Sequence, residues 1–156
     1  MMENKKLIIE ELNIKDFEKC QNIWDMKSEP KQKNEFYDDL KKGNRVTFIC
    51  KDENNDFLGE GSLVFDCEYE NFTIPKKRIY LSHLHVRSER RGQGIGTLLC
   101  KHIFEYCKKQ GYEELSLVVL LSNYNAMRLY HSLGFTTILD VFEIDGEKKL
   151  GMLKKL

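Results

Sequence analysis

The sequence predicts an α/β fold built on a mixed, mostly antiparallel sheet of about seven strands with four helices. Three observations carry that prediction. A chain of 156 residues fits one globular domain with a core of its own, so residues 1–156 are read as a single domain. Strand-like and helix-like stretches follow one another as β-α-α-β-β-β-α-β-α-β-β, which is not a regular βαβ repeat. No period recurs, no low-complexity tract interrupts the chain, and Pro30 and Pro75 are the only prolines.

Each element has its own warrant. LIIEEL (7–12) has strand character, and Asn13 with Asp16 offers a helix start ahead of Ile14, Phe17, Cys20 and Trp24 at roughly helical spacing. A second helix is expected over about 31–42. RVTFICKD (45–52) and FLGEGSLVFDCEYE (57–70), with Asn54-Asn55 between them, read as a hairpin. RIYLSHLHV (78–86) is the next strand. After it comes a helix carrying Ile95, Leu98, Leu99, Ile103 and Tyr106 on one face, which Gln110-Gly111 stops. LSLVVLL (115–121) is nearly all apolar, as in a strand covered on both faces. SNYNAMRLYHSLGF (122–135) is a short helix with Ser122 or Asn123 as N-cap and Gly134 as terminator. TILDVFEID and EKKLGMLKK close the chain as a hairpin around Asp145-Gly146.

Bulk composition narrows the function. Lys plus Arg and Asp plus Glu both number 25, so the whole molecule has no charge imbalance that would favour nucleic acid or an anionic membrane as a partner. No apolar run approaches a membrane span, and the N-terminal MMENKKLIIEELN has no signal-peptide core, so a soluble, cytoplasmic protein is expected. The five cysteines are dispersed, with no C-x-x-C pair, which argues against a disulfide framework or a zinc site. Cys100 and Cys107, seven apart on one helix, are read as packing residues ahead of a redox pair.

RRGQGIG (90–96) concentrates three glycines and two arginines between a strand and a helix. Such a junction makes an anion site. The first helical N–H groups have no internal acceptor, the helix dipole adds positive charge, and glycine lets a phosphate approach the backbone. Arg87, Arg90 and Arg91 add charge beside it. No Lys-Ser or Lys-Thr follows, as a Walker A loop requires, and the spacing Gly92, Gly94, Gly96 is not G-x-G-x-x-G.

The stretch Arg91-Gly92-Gln93-Gly94-Ile95-Gly96 matches [QR]-x-x-G-x-[GA], the signature of the GNAT family of N-acetyltransferases, and Leu84-His85-Val86 precedes it as that family's strand does. Asn123-x-x-Ala126-x-x-Leu129-Tyr130, then Leu133-Gly134-Phe135, resembles the family's second conserved segment. The resemblance spans nearly the whole chain and implies a GNAT-like acyl-CoA acyltransferase fold whose fourth and fifth strands splay apart. It implies acetyl-coenzyme A as acetyl donor, with no metal, and direct transfer to a primary amine of a small molecule or peptide.

Site residues follow from the same resemblance. The backbone of Leu84, His85 and Val86 would hold the pantetheine arm, and the amides around Gln93 to Thr97 the pyrophosphate, with Arg91, Gly92, Gly94, Ile95 and Gly96 in the cradle. Tyr130 matches the position of the general acid, with a core aromatic as the plain alternative. Seven residues make nearly two helical turns, so Asn123 and Tyr130 share a face, and Asn123 is read either as a pantetheine ligand or simply as an N-cap. The fourth strand offers Tyr80, Ser82, His83 and His85 with no acid. His83 is the candidate base, since an imidazole with an ordinary pKa of about 6.5 suits proton removal near neutral pH; His85 is the alternate, and packing is the plain reading of both. Two acidic stretches, 35–39 and 66–70, are candidates for attracting a cationic acceptor. Polyamine, aminoglycoside, amino-acid and protein N-terminal acceptors all fit, as does a homodimer joined through the C-terminal hairpin. A non-catalytic coenzyme A-binding module is the alternative from another functional class.

Overall fold

Seven strands lie in the order β1-β2-β3-β4-β5-β7-β6 in the computed structural model, which describes residues 6–156. They are β1 (Ile8–Glu11), β2 (Arg45–Lys51), β3 (Phe57–Val64), β4 (Arg78–Val86), β5 (Glu114–Leu120), β6 (Phe135–Ile144) and β7 (Glu147–Lys155). The β4–β5 pair is parallel and three residue pairs long, ending at Tyr80 opposite Ser116, well short of Val86. The pairs β1–β2, β2–β3, β5–β7 and β6–β7 are antiparallel. The mixed, mostly antiparallel sheet of seven strands is the one expected. The signal-peptide reading of the N-terminus bears partly on residues 1–5, which lie outside the described residues.

Four helical stretches of nine residues or more accompany the strands: a 3-10 helix at Ile14–Asn22, then α1 (Pro30–Lys42), α2 (Ile95–Lys109) and α3 (Tyr124–Ser132). The first is tighter than an α-helix, and its sequence shows why. Ile14, Phe17, Cys20 and Ile23 recur every third residue, which is the period of a 3-10 turn. Asn13 caps it, its side-chain oxygen accepting the Lys15 N–H at 3.0 Å. Helix α1 starts with proline at its first position and ends on Gly43 at φ +78°. Strand β3 stops at Val64, sooner than expected, where acidic residues begin to alternate and Asn71 takes a positive φ.

The chain divides into two compact units, one of residues up to Val64 with His83–Glu105, the other of Phe65–Ser82 with Tyr106–Leu156. The first unit is built on apolar side chains of the 3-10 helix, α1 and the segment between them, with Phe17, Cys20, Trp24, Met26 and Phe36 packed with Ile49 and Phe57. Full burial of each large member contributes on the order of 2 kcal/mol. On the opposite face of β3, Gly59 and Gly61 lie against α2. A Cβ on Gly61 would come within 2.6 Å of Ile103, and one on Gly59 within 3.0 Å of Ile95. Those two glycines bring helix and strand together.

The second unit packs around the Phe72 ring. Ser116 Oγ donates to the Phe72 carbonyl at 2.6 Å, and the ring lies among Tyr69, Tyr80 and Phe142. Gly151 of β7 faces that ring so closely that a Cβ there would overlap it. The closing hairpin turns at Asp145 and Gly146, both at positive φ, as a two-residue type I′ turn requires. Among the described residues no helix is long and apolar enough to cross a membrane.

Candidate active site

The glycine junction has the form of an anion cradle. Gly92 and Gly94 adopt φ +76° and +81°, and a Cβ built on either would meet nothing within 4 Å. Their backbone therefore lies open to a ligand. The first helical hydrogen bond of α2 runs from Leu98 N–H to the Gly94 carbonyl at 3.0 Å, so the amides of Ile95, Gly96 and Thr97 begin the helix without an intrahelical acceptor. The Ile95 side chain is buried and anchors the turn, while Gln93 is exposed.

The three arginines differ in role. Arg87 pairs with Glu89 at 2.5 Å. Arg91 is exposed and donates through Nε to the Val86 carbonyl at 3.2 Å, tying the turn to the end of β4. Arg90 keeps a buried Nε without a hydrogen-bond partner among the described residues, and its charge reaches Cys50, opposing the rise that burial gives that thiol. Arg91 is thus the arginine best exposed to an incoming anion.

Next to this turn, still in the first unit, β4 presents His83 and His85 on one face, their rings 3.9 Å apart. His83 is 7% exposed, enclosed by the edges of Trp24 at 5.2 Å and Phe36 at 5.5 Å. Its Nδ1 lies 2.5 Å from Oε1 of Glu60 on β3, a carboxylate with no exposure at all. An ionised carboxylate only accepts, so Nδ1 is the donor to it, and in a neutral ring the lone pair then lies on Nε2. Nε2 lies 3.0 Å from the side-chain amide nitrogen of Gln32, in the first turn of α1.

Two neighbours complete the electrostatics. Burial holds His85 down to about 3, with the Arg91 charge acting in the same direction, so its ring is neutral at physiological pH. Burial first, and the Glu60 charge second, push the Cys20 thiol up, which keeps it protonated beside the carboxylate. A thiol is a weak donor, and Glu60 Oε2 has no conventional hydrogen-bond partner among the described residues.

Glu60 is a candidate site residue that the sequence reading did not name. The fourth strand carries no acid, and the carboxylate stands on the third. A signal was present in FLGEGSLV (57–64), where one glutamate sits between two glycines in an otherwise uncharged strand. A buried charge is rare without a partner.

In the second unit, Tyr130 is half-buried on α3, its ring 5.8 Å from Phe135. Asn123 is the N-cap, its side-chain oxygen accepting the Ala126 N–H at 3.1 Å. Of the acidic stretches, Phe36 is core and Asp39 binds Arg45 and Asn44 at the end of α1, while residues 66–70 lie in turns after β3. Cys100 and Cys107 are both fully buried, as packing residues are. Among the described residues no three His, Cys, Asp or Glu side chains gather as a metal-holding group.

A strand that runs into an open glycine turn and a helix with free amides is the junction that the GNAT resemblance predicts. The profile of the Acetyltransferase (GNAT) family matches residues 8–135, and the chain belongs to that family. Human N-acetyltransferase 8B is 43% identical over 63 residues, which are 40% of this chain and 28% of that protein. Thialysine N-epsilon-acetyltransferase of Bos taurus is 37% identical over 76 residues, 46% of this chain and 45% of that one. The matched stretch therefore spans less than half the length of these curated relatives. The PaiA N-acetyltransferase from Thermoplasma acidophilum, solved in complex with coenzyme A, has the same fold with a TM-score of 0.69 at 21% identity, covering 97% of this chain and 99% of that one.

Proposed function

We propose that the chain transfers the acetyl group of acetyl-coenzyme A directly to a primary amine, with His83, oriented by Glu60, as general base. The hydrogen bond between Glu60 and His83 carries the reading. It fixes the tautomer in which the nitrogen away from the carboxylate takes a proton.

The residues present fit coenzyme A. The open backbone at Gly92 and Gly94 and the free amides at the start of α2 suit a pyrophosphate. Arg91 would add charge, and the backbone of Leu84, His85 and Val86 would pair with the pantetheine arm. By the resemblance alone, Asn123, whose oxygen caps its helix, would be a further ligand of that arm. When bound, acetyl-coenzyme A supplies the thioester carbon that the amine attacks. A C–N bond forms, the C–S bond breaks, and the electron pair leaves on sulfur. The acceptor nitrogen, arriving as an ammonium, sheds two protons. His83 Nε2 removes one, which passes to solvent; Tyr130 O–H protonates the departing sulfur, and the second amine proton restores the Tyr130 hydroxyl.

The five cysteines are free, which supports a reducing, cytoplasmic setting. The experiment is thiol release from acetyl-coenzyme A against a panel of polyamines, aminoglycosides, amino acids and peptides. Release that depends on the amine, and falls at least tenfold in His83→Ala, is expected. Release that no amine stimulates would refute the reading.

A further inference from the structure

We propose that Gln32 is a positioning residue for His83: its carboxamide guards Nε2 while the ring is neutral and turns over to hold the ring once it is protonated. This rests on the reading of His83 as base. Glu60 fixes the proton on Nδ1, so the one lone pair of the neutral ring lies on Nε2, and the Gln32 amide nitrogen points into it at 3.0 Å. The ring cannot take a proton there until that N–H moves away. A carboxamide carries a donor and an acceptor on one planar group. A half-turn about its last torsion withdraws the N–H and brings Oε1 to the same place, where it accepts from the new Nε2–H. The proton moves from an acceptor ammonium to Nε2, and nothing else is gained or lost at the ring.

The surroundings leave this task to Gln32. Facing His83 are Glu60 from β3, His85 from β4, and the edges of Trp24 and Phe36. Cys20 of the 3-10 helix lies against Glu60 and stays protonated, and His85, which also feels the Arg91 charge, stays neutral. Glu35, one turn further along α1, is exposed. Glu60 is fully buried, whereas Gln32 is exposed. The Nε2 side is therefore where the ring meets the surface, and Gln32 covers it.

Two substitutions separate donor from acceptor. In Gln32→Glu a carboxylate, which only accepts, faces Nε2 and favours the protonated ring. Gln32→Met keeps the length and removes both groups. Histidine-labelled protein followed by long-range 15N–1H spectra reads the ring directly, and the pH profile of kcat/KM reads its use. The pH at which Nε2 takes up its proton should rise by about one unit or more in Gln32→Glu, the acid limb of kcat/KM should rise with it, and coenzyme A affinity should be unchanged. Gln32→Met should keep the proton on Nδ1 and leave the limb near its wild-type position with a lower rate. Equal ring titration in wild type and Gln32→Glu would overturn the proposal. If the ring responds as expected but no amine is acetylated, the catalytic reading fails and the coupling of Gln32 to His83 stands.

Discussion

A carboxylate held away from water beside an imidazole determines which ring nitrogen carries the proton, and Glu60 does this for His83. Replacing Glu60 by Gln, nearly the same shape without the charge, should lower kcat/KM by about 100-fold or more with coenzyme A affinity retained, as measured by thiol release and calorimetry. Tyr130→Phe should show the same split, with turnover reduced and coenzyme binding intact; unchanged turnover removes Tyr130 from the mechanism. His85 acts on stability. Its folded pKa lies below the value of about 6.5 it has when unfolded, so the unfolded chain binds the extra proton first. The stability it contributes is complete above pH 6.5 and is lost as pH falls from there towards 3. Urea unfolding across that range should show a loss approaching about 1.4 kcal/mol per pH unit from this one proton, and His85→Phe should flatten the slope.

Among the elements, β3 carries opposite demands on its two faces. Gly61 admits α2 on one side while Glu60 enters the histidine cluster on the other. Gly61→Ala forces its Cβ into Ile103 and should cost about 1–3 kcal/mol in urea unfolding; a neutral result would mean that the helix packs more loosely than this. Strand β4, helix α2, the α3 cap at Asn123 and the Asp145-Gly146 turn were legible in the sequence, because their signals are local: alternation, periodicity, caps and turn residues. The glycine cradle was legible for the same reason, and Gly92 and Gly94 take the positive φ that the motif needs. The 3-10 character of Ile14–Asn22 was not, since three- and four-residue spacing are hard to distinguish over nine residues. Neither were Glu60 and Gln32 as partners of His83. They stand 23 and 51 residues from it along the chain, and only tertiary packing joins them.

At the scale of the whole molecule, balanced charge leaves anion binding to local devices, and the cysteines report on packing. Cys20, Cys50, Cys100 and Cys107 are buried and Cys67 is partly exposed; burial pushes the thiols of Cys100 and Cys107 up to about 12. A thiol reagent should therefore modify one cysteine quickly in the native protein and all five after denaturation. Fast reaction of several native thiols would mean that the buried ones open readily. The overlap that a Cβ at Gly151 would make with the Phe72 ring reaches beyond one protein's stability. Packing ties the two positions, 79 residues apart, to each other. A lineage that keeps the ring must keep the glycine, and one that shrinks residue 72 is free to vary residue 151, so the pair should change together across relatives.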